Sequence, residues 1–292
     1  MTRAQAAMLP DGRRLHLQDG PIDLVIEAFG DAAAVRGAYR AAASRFATIL
    51  DELCAELPLL RAAADPTHSP LQGAVARRMH AAVAPFAAEV FITPMAAVAG
   101  AVAEEVLAAM LRAAPLARAY VNDGGDIALH LAPGQGFSIG MVDRPDRPGL
   151  IGTANLSAED QVRGIATSGW RGRSFSLGIA DAVTVLAETA AMADAAATVI
   201  ANAVDLPGHA GIERVPANEI QPDTDLGTRL VTRSVPKLTS GEIEQALLAG
   251  VAYAERVGDR GLIHAVALHL QGCTRLVGAV PELEREDLRA YG

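Results

Sequence analysis

The chain has few of the residues that carry the commonest reactive chemistry. Of its 25 basic residues 24 are arginine and Lys237 is the one lysine, so a reaction that needs a lysine nucleophile has a single candidate. The two cysteines, Cys54 and Cys273, are too few for a disulfide framework or a cysteine-ligated zinc site, and they fit a reduced compartment. Cys54 falls in an apolar helical stripe, which predicts that it is buried.

Long apolar runs are also missing. The longest uncharged window, 127–142, has 16 residues and contains proline and glycine, whereas a membrane-spanning helix needs about 20 apolar residues. We therefore predict no membrane span. Pro10, Asp11, Arg13 and Arg14 stand where a signal peptide would need its apolar stretch, so we expect a cytoplasmic protein.

Positive charge is in deficit as well. The 34 acidic residues outnumber the 25 basic ones and give a formal net charge of -9. This balance opposes nonspecific attraction to phosphate backbones and anionic lipids. We expect neither a nucleic-acid partner nor a membrane-surface role, and we expect a small-molecule ligand instead.

Small residues dominate the chain, with 60 alanines and 27 glycines among 292 residues, and 51% of all residues are hydrophobic. This is ample for one large domain over residues 1–292. Helical and strand patterns alternate irregularly, which predicts an α+β fold with antiparallel or mixed sheets packed by helices. The segment 206–238 is rich in proline and glycine and is predicted to be an irregular excursion. Alanine-rich stripes would also allow a homo-oligomer.

Periodicity and capping residues place most of the elements. A strand is predicted at Ile22–Phe29, followed by a helix that Asp31 caps and Pro58 ends, and a second helical region begins at Thr93, a predicted cap, and Pro94. Strands are expected at 119–121, 126–131, 137–142, 151–156, 162–167, 182–187, 262–270 and 275–277, a helix capped by Thr189 reaches about residue 204, and a last helix spans 240–257. A charged loop covers 143–148.

A first candidate site is the turn at 121–127. Gly124 and Gly125 allow backbone amides to point at a ligand, Asn122 precedes them, and Asp126 supplies a carboxylate at the exit of the turn. An ordinary hairpin has the same composition and is the favoured alternative.

A second candidate is the end of the strand that leads into 165–174. Thr167, Ser168 and Gly169 are followed by Arg171 and Arg173, a combination that can hold a diphosphate through backbone amides and guanidinium groups. A solvated surface loop is an equal alternative.

A third candidate lies on the predicted helix after Thr189. Asp194 and Thr198 are four residues apart and therefore share one helical face, and oxygen ligands so spaced suit Mg²⁺. The alternative is a carboxylate near a helix N-terminus that needs no metal.

In this order the three segments resemble the ApbE family, the FAD:protein FMN transferases, and resemble more closely the bacterial and archaeal proteins classed beside it. Residues 122–127 match that family's Asn-Ile-Gly-Gly-Asp-Ile except at Asp123, Thr167–Gly169 matches its Thr-Ser-Gly, and 193–198 is similar to its Ala-Asp-Ala-Leu-Ala-Thr. The small-residue stretch 98–103 is similar to its Ile-Ala-Lys-Gly-Tyr-Ala. The similarity covers roughly residues 20–210.

The resemblance implies an ApbE-like, T-fold-related domain with a flavin-nucleotide site and a Mg²⁺ site. By the same resemblance Asp194, Thr198 and the carbonyl of Ala99 hold the metal, and Asp126 orients the substrate as the catalytic residue. Phosphate and cofactor contacts fall to the remaining motif residues: Asn122, Gly124, Gly125, Thr167, Ser168, Gly169, Arg171 and Arg173. Stacking on a flavin ring falls to Trp170 or Phe175, because aromatic residues are only 4% of the chain.

The chain also departs from the family pattern. Gly100 stands where the family has lysine, and 174–178 stands near the place of its His-Ile-Ile-Asp-Pro segment. Three functions follow as hypotheses: a Mg²⁺-dependent enzyme that handles FAD or another diphosphate compound, a non-catalytic nucleotide-binding or interaction protein on the same fold, and an enzyme of another cofactor's biosynthesis, such as a pterin one-carbon carrier.

Overall fold

The computed structural model describes residues 3–142, 149–278 and 283–284. The charged loop predicted at 143–148 lies outside these residues. Contacts divide the chain into two compact units, the first formed by residues 1–135, 161–166 and 187–195 and the second by 136–160, 167–186 and 196–292.

The first unit combines an antiparallel meander with helices. Its strands are β1 (Gln5–Met8), β2 (Leu15–Asp19), β3 (Ile22–Phe29), β4 (Arg118–Asp123) and β5 (Asp126–Leu131), and its helices are α1 (Ala32–Ala55), α2 (Leu57–Leu60), α3 (Ala74–Ala87) and α4 (Val98–Ala113). Each strand pairs antiparallel with the next, so the order is β1-β2-β3-β4-β5. A 3₁₀ turn, Pro94–Ala97, leads into α4.

The core of this unit follows from the alternation of its strands. In β2 and β3 the residues Leu15, Leu17, Leu24 and Ile26 point to one buried face, as the two-residue period of a strand requires. Helix α1 packs on this face with its buried stripe, which includes Phe46, and α4 packs against α1, β4 and β5.

Three elements belong to both units by their residues. They are β8 (Gly164–Ser168), β9 (Ala182–Ala187) and α5 (Ala190–Ala203), and they follow β6 (Gly136–Val142) and β7 (Leu150–Ser157) in the chain. Within the first unit β8 pairs antiparallel with β5 through Ile127 and Ile165.

The described residues of the second unit contribute strands to three sheets. Further along the chain come β10 (Glu213–Pro216), α6 (Ala217–Ile220), β11 (Leu230–Ser234), α7 (Ser240–Asp259), β12 (Ala265–Leu270), β13 (Cys273–Gly278) and β14 (Leu283–Glu284). Strands β9, β12 and β13 form one antiparallel group on which α7 packs. Strand β7 pairs with both β6 and β14, and β10 pairs with β11.

The α+β class with antiparallel sheets is confirmed, and several predicted ends are those of the structure. Strand β3 and strand β9 have the predicted bounds. The Asp31 side chain caps α1 by accepting from the backbone amides of Ala33 and Ala34, and Thr239 with Glu242 forms a capping box at α7.

Other expectations were wrong. Cys54 is exposed, because it lies beside rather than within the buried stripe of α1. Thr93 occupies the cap position and Pro94 the first position of the helical region, as predicted, but the Thr93 side chain makes no capping hydrogen bond. Helix α3 was not anticipated. The strands at 151–156 and 162–167 do not continue one sheet as expected, because β7 pairs with β6 and β14 in a sheet that does not contain β8. The segment 206–238 is not wholly irregular, because it contains β10, α6 and β11.

One helical stretch, Pro94–Ala113, is long and apolar enough to span a membrane by length and composition alone, with a mean hydropathy of 1.5. More than half of it, 56%, is buried inside the protein. Glu104 and Glu105 in its middle are paired with arginines. Its apolar character is therefore explained by packing against α1 and α3.

Candidate functional site

The glycine turn is a two-residue hairpin between β4 and β5. Gly124 and Gly125 have φ values of +63° and +116°, which residues with a side chain rarely adopt. The Asn122 side chain accepts a hydrogen bond from the Gly125 amide at 2.8 Å. Asn122 therefore stabilises the turn, while Asp126, half-buried, pairs with Asp123 across the ladder.

Asp194 lies on α5 and its carboxylate reaches the first turn of α4. Its Oδ2 accepts from the Gly100 amide at 3.0 Å, and the Ala99 amide is a second hydrogen-bond donor to it. The structure thus brings Ala99 and Asp194 together through the Ala99 amide, whereas the atom predicted to bind the metal is the Ala99 carbonyl. No cationic side chain within the described residues is paired with this carboxylate.

The electrostatics of Asp194 are unfavourable for a bare charge. Burial, together with the nearby carboxylate of Asp123, raises the pKa of Asp194 from its ordinary 3.8 to about 7, although its two amide donors oppose the shift. Protein atoms surround the Asp194 carboxylate, but the residue as a whole is half-buried rather than fully buried. A cation next to Asp194 would favour the ionised form.

Near the Asp194 carboxylate, the backbone of the first turn of α4 packs directly against the backbone at the start of α5. A Cβ at Gly100 would lie 2.8 Å from the Ala191 nitrogen and closer still to the Ala190 carbonyl. Gly164 faces the same segment, where a Cβ would overlap the backbone of Thr189 and Ala190. Only glycine fits at these positions, and the lysine of the ApbE pattern has no room at Gly100.

Helices α4 and α5 each carry a carboxylate that accepts a hydrogen bond from the first turn of the other helix. Asp194 of α5 accepts from amides at the start of α4, and Glu104 of α4 accepts from the Ala191 amide at the start of α5 at 2.8 Å. Arg78 holds the second oxygen of Glu104 at 3.0 Å. Burial nevertheless raises the pKa of Glu104. The positive N-terminal end of α5 is therefore already occupied by a protein carboxylate.

Thr198 lies one turn after Asp194 on the same helix and is half-buried. Helix geometry places the two residues on one face, as the sequence predicts. The start of this helix is also as predicted, since the Thr189 hydroxyl accepts from the Met192 amide.

In the second unit the Thr-Ser-Gly segment ends β8 and leads into a tight turn. The Thr167 and Thr184 hydroxyls are hydrogen-bonded at 2.9 Å, and Ser168 is half-buried. A Cβ at Gly169 would lie 2.9 Å from the Ala180 carbonyl oxygen and closer to that of Asp181. Thr167 and Gly169 therefore have structural roles besides any contact with a ligand.

The two arginines that follow, Arg171 and Arg173, differ in their contacts and in their exposure to solvent. The Arg171 Nε donates to the buried Asp181 carboxylate at 2.9 Å, and its guanidinium lies 4.1 Å from the centroid of the Trp170 ring. Arg173 is exposed. One face of Trp170 is thus covered by Arg171, and Trp170 is half-buried.

Three residues around these elements were missed by sequence reasoning. Asp123 carried a visible signal, because it stands where the ApbE pattern has isoleucine. Glu104, four residues after Gly100 on the same helix, and Asp181, directly before β9, carried none, since single acidic residues at such places are common in helices and loops.

A family model described as "AbpE bacteria" matches residues 6–276 of the chain. The chain belongs to this family. The predicted relationship to the ApbE superfamily is therefore confirmed.

Relatives of this AbpE-family chain include archaeal proteins named UPF0280. One from Methanopyrus kandleri is 40% identical over 155 residues, which are 52% of this chain and 59% of the relative. One from Methanosphaerula palustris is 33% identical over 201 residues, which are 64% of this chain and 77% of the relative. The match to the first of these spans less than two thirds of that protein.

Two solved structures align with most of the AbpE-family chain at low similarity. The flavinyl transferase ApbE of Pseudomonas stutzeri, in its apo form, gives a TM-score of 0.43 at 11% identity and covers 94% of this chain and 93% of its own. A variant of the flavin transferase ApbE from Vibrio cholerae gives 0.34 at 12% identity, covering 94% and 96%.

Proposed function

We propose that this protein is a Mg²⁺-dependent enzyme that binds FAD or a related diphosphate compound and acts as a transferase of the FMN-transferase type. The observation that carries the proposal is the Asp194 carboxylate, which is surrounded by protein, lies near a second carboxylate, Asp123, and has no cationic partner within the described residues. A divalent cation is the natural compensation for such a site.

The donor chemistry fits magnesium. Asp194, the Ala99 carbonyl and the Thr198 hydroxyl offer only oxygen, which hard cations prefer. The described residues contain no group of three or more His, Cys, Asp or Glu side chains able to hold a metal, so the protein would supply few ligands. Mg²⁺ commonly keeps waters and substrate phosphates in such cases. When bound, it would neutralise charge on a phosphate of the ligand.

The remaining predicted residues divide between the two units by role. In the second unit Ser168, Arg171 and Arg173, with the backbone of Thr167 and Gly169, are proposed to contact phosphate. In the first unit the backbone of Gly124 and Gly125, supported by Asn122, is proposed to contact the ligand, and Asp126 to orient the substrate.

A non-catalytic nucleotide-binding protein is the second candidate, and one observation favours it. The close packing of Gly100 against Ala190 excludes the lysine that the ApbE pattern has there. A binding protein needs the phosphate and metal contacts but not that side chain.

Isothermal titration with FAD, with and without Mg²⁺, tests the proposal. We expect binding to the wild-type protein that strengthens with Mg²⁺ and an Asp194→Asn variant that loses this Mg²⁺ dependence. Glu255→Gln, an exposed charge removal on α7, is the control and should behave as the wild type. No heat with FAD in either condition would overturn the proposal.

Product analysis separates the two candidates. Transfer of FMN from FAD breaks the diphosphate linkage and releases AMP, so an enzyme of this type forms AMP from FAD in the presence of Mg²⁺ and an acceptor. FAD binding by a protein that leaves FAD intact with every acceptor tried would favour the non-catalytic candidate.

A further inference from the structure

We propose that Trp170, Arg171 and Asp181 form a preformed phosphate-binding element in which Asp181 is a positioning residue. We name these three residues the Trp-Arg clamp. The inference rests on the proposed function in one respect, namely that a phosphate of the nucleotide ligand is the anion bound there. It assigns to Asp181 and Trp170 roles that the sequence did not suggest.

The clamp is built on a fixed turn. The Gly172 amide donates to the Gly169 carbonyl at 3.0 Å, which places Trp170 and Arg171 at the two central positions of the turn. The Trp170 amide donates to the Ala180 carbonyl at 3.0 Å and anchors the turn to the segment before β9. Both side chains therefore project from a backbone that is held at its ends.

Asp181 fixes both side chains at once. Its Oδ1 accepts from Arg171 Nε at 2.9 Å and from Trp170 Nε1 at 3.2 Å. Its Oδ2 accepts from the Gln271 amide at 2.7 Å. Asp181 is 4% exposed, so the acceptor of these three bonds lies in the protein interior, where hydrogen bonds to a charged group are strengthened.

The far side of Asp181 is rigid as well. Gln271 has φ of +44° in the two-residue turn between β12 and β13, and its side chain donates to the Pro236 carbonyl at 2.7 Å and accepts from the Leu238 amide at 3.0 Å. Gln271 is thus held by the hairpin turn and by the loop, and its backbone amide holds the Asp181 carboxylate. Asp181 in turn orients Arg171.

The outer edge of Arg171 keeps its donors available. Only Nε is paired with Asp181, and across the described part of the chain the two terminal amino groups donate no hydrogen bond, while 27% of the side chain is exposed. The backbone amides of Arg171, Arg173 and Ser174 also find no acceptor among these residues. The turn therefore presents a group of donors in which the guanidinium is already oriented, the arrangement that binds phosphate in a bidentate manner.

Arg256 also lies on an aromatic ring, and comparison with it shows how the Trp-Arg clamp differs from an ordinary cation–π pair. In the same unit Arg256 lies 4.9 Å from the centroid of Tyr253, and its Nη1 donates to the Ala252 carbonyl one turn earlier. No carboxylate is paired with it in the described structure. Arg256 is exposed and its guanidinium is held by a backbone carbonyl, whereas Arg171 is held through Nε by a buried acid.

Trp170 supplies the test, because it is the one tryptophan in the chain and touches both other members of the clamp. Inorganic pyrophosphate is titrated into the full chain without Mg²⁺ and tryptophan emission is recorded. We expect a saturable change in the wild type. Arg171→Lys should weaken binding by at least about tenfold, because the charge is kept but the fork is lost. Arg256→Gln, the matched control, should bind as the wild type.

Asp181→Asn tests positioning rather than folding. It keeps the size and one acceptor oxygen, and its folded state is checked by circular dichroism. We expect the wavelength of tryptophan emission to shift before any ligand is added and pyrophosphate affinity to fall by about tenfold, with Asp181→Glu restoring part of the affinity. Unchanged emission and affinity in Asp181→Asn, or equal losses in Arg171→Lys and Arg256→Gln, would overturn the proposal.

Parallel titrations with FAD and riboflavin separate this inference from the proposed function. Riboflavin has no phosphate, so its binding should not respond to Arg171→Lys, whereas FAD binding should. Pyrophosphate binding that depends on Arg171, with no FAD binding, would refute the proposed function and leave the clamp in place. FAD binding that Arg171→Lys leaves unchanged would refute the clamp and leave the function in place.

Discussion

Two aspartates, one in each unit, are enclosed by protein in opposite ways. Asp181 is saturated with donors: a guanidinium, an indole N–H and a backbone amide. Asp194 has two backbone amides, a second carboxylate nearby and no cationic partner within the described structure. The first charge is compensated by a guanidinium of the protein, and the second is not compensated by any cationic side chain among the described residues. Burial alone therefore does not distinguish the two acids, whereas the nature of their partners does.

The comparison predicts that the largest change in stability follows the removal of Asp181, the aspartate with three hydrogen-bond donors. Asp181→Ala leaves Arg171, Trp170 and Gln271 without their acceptor and should lower the free energy of unfolding by about 3 kcal/mol, the range for breaking a buried, hydrogen-bonded ion pair. Urea unfolding followed by circular dichroism measures it. A loss below that of the exposed control Asp259→Ala would contradict the assignment of Asp181.

The surroundings of Asp194 depend on close backbone packing. Gly100→Ala pushes a methyl group into the Ala190 carbonyl and should destabilise the protein by about 2 kcal/mol, a usual value for overpacking. Gly258→Ala is the matched helical control, since nothing lies within 4 Å of the added Cβ, and it should stabilise by about 0.5 kcal/mol. Equal effects of the two changes in thermal unfolding would show that the packing at Gly100 is loose.

Asp194→Asn should act in the opposite direction to Asp181→Ala when metal is removed with a chelator. The pKa of Asp194 is raised from 3.8 to about 7, so the folded state binds the proton more tightly than the unfolded chain. The ionised carboxylate therefore costs stability above pH 7, and this cost disappears as the pH falls towards 4. At pH 8 the variant should be more stable by about 2 kcal/mol, allowing for partial exposure, and at pH 4 equal to the wild type.

Denaturant unfolding at the two pH values measures this difference. Glu255→Gln serves as the reference for removal of an exposed charge. A variant that is less stable than the wild type at pH 8 would show that Asp194 is compensated in the same way as Asp181.

The smallest effect concerns Thr198. Without metal, Thr198→Val should change the free energy of unfolding by less than about 0.5 kcal/mol, because the hydroxyl of this half-buried residue has no hydrogen-bond partner within the described structure. With Mg²⁺ it should weaken the cation affinity several-fold, measured by titration calorimetry. An unchanged Mg²⁺ affinity would remove Thr198 from the proposed ligand set.

The helices and strands could be predicted from the sequence more completely than the contacts of Asp181 and Asp194. Alternating apolar residues, the Asp31 cap and the glycine pair at 124–125 are local signals, and the elements they define are present. Helix α3 was missed although its apolar residues pack as a helix, and Pro85 in its last turn obscures the pattern.

The candidate residues were predicted as motifs, but their relations were not. That Gly100 lies against Asp194, or that Arg171 is held by Asp181, depends on contacts across 94 and 10 positions of the chain. Periodicity and caps carry no information on such contacts. The exposed Cys54 shows the same limit on one helix, since a stripe predicts which side is buried but not which of its border residues are covered.

We propose that the Asp194 carboxylate binds a divalent cation. Thermal unfolding of the wild-type protein and of Asp194→Asn at pH 8, with chelator and with saturating Mg²⁺, is the direct test. We expect Mg²⁺ to raise the Tm of the wild type and to leave that of Asp194→Asn unchanged. Equal Mg²⁺ responses in both proteins, or none in either, would contradict it.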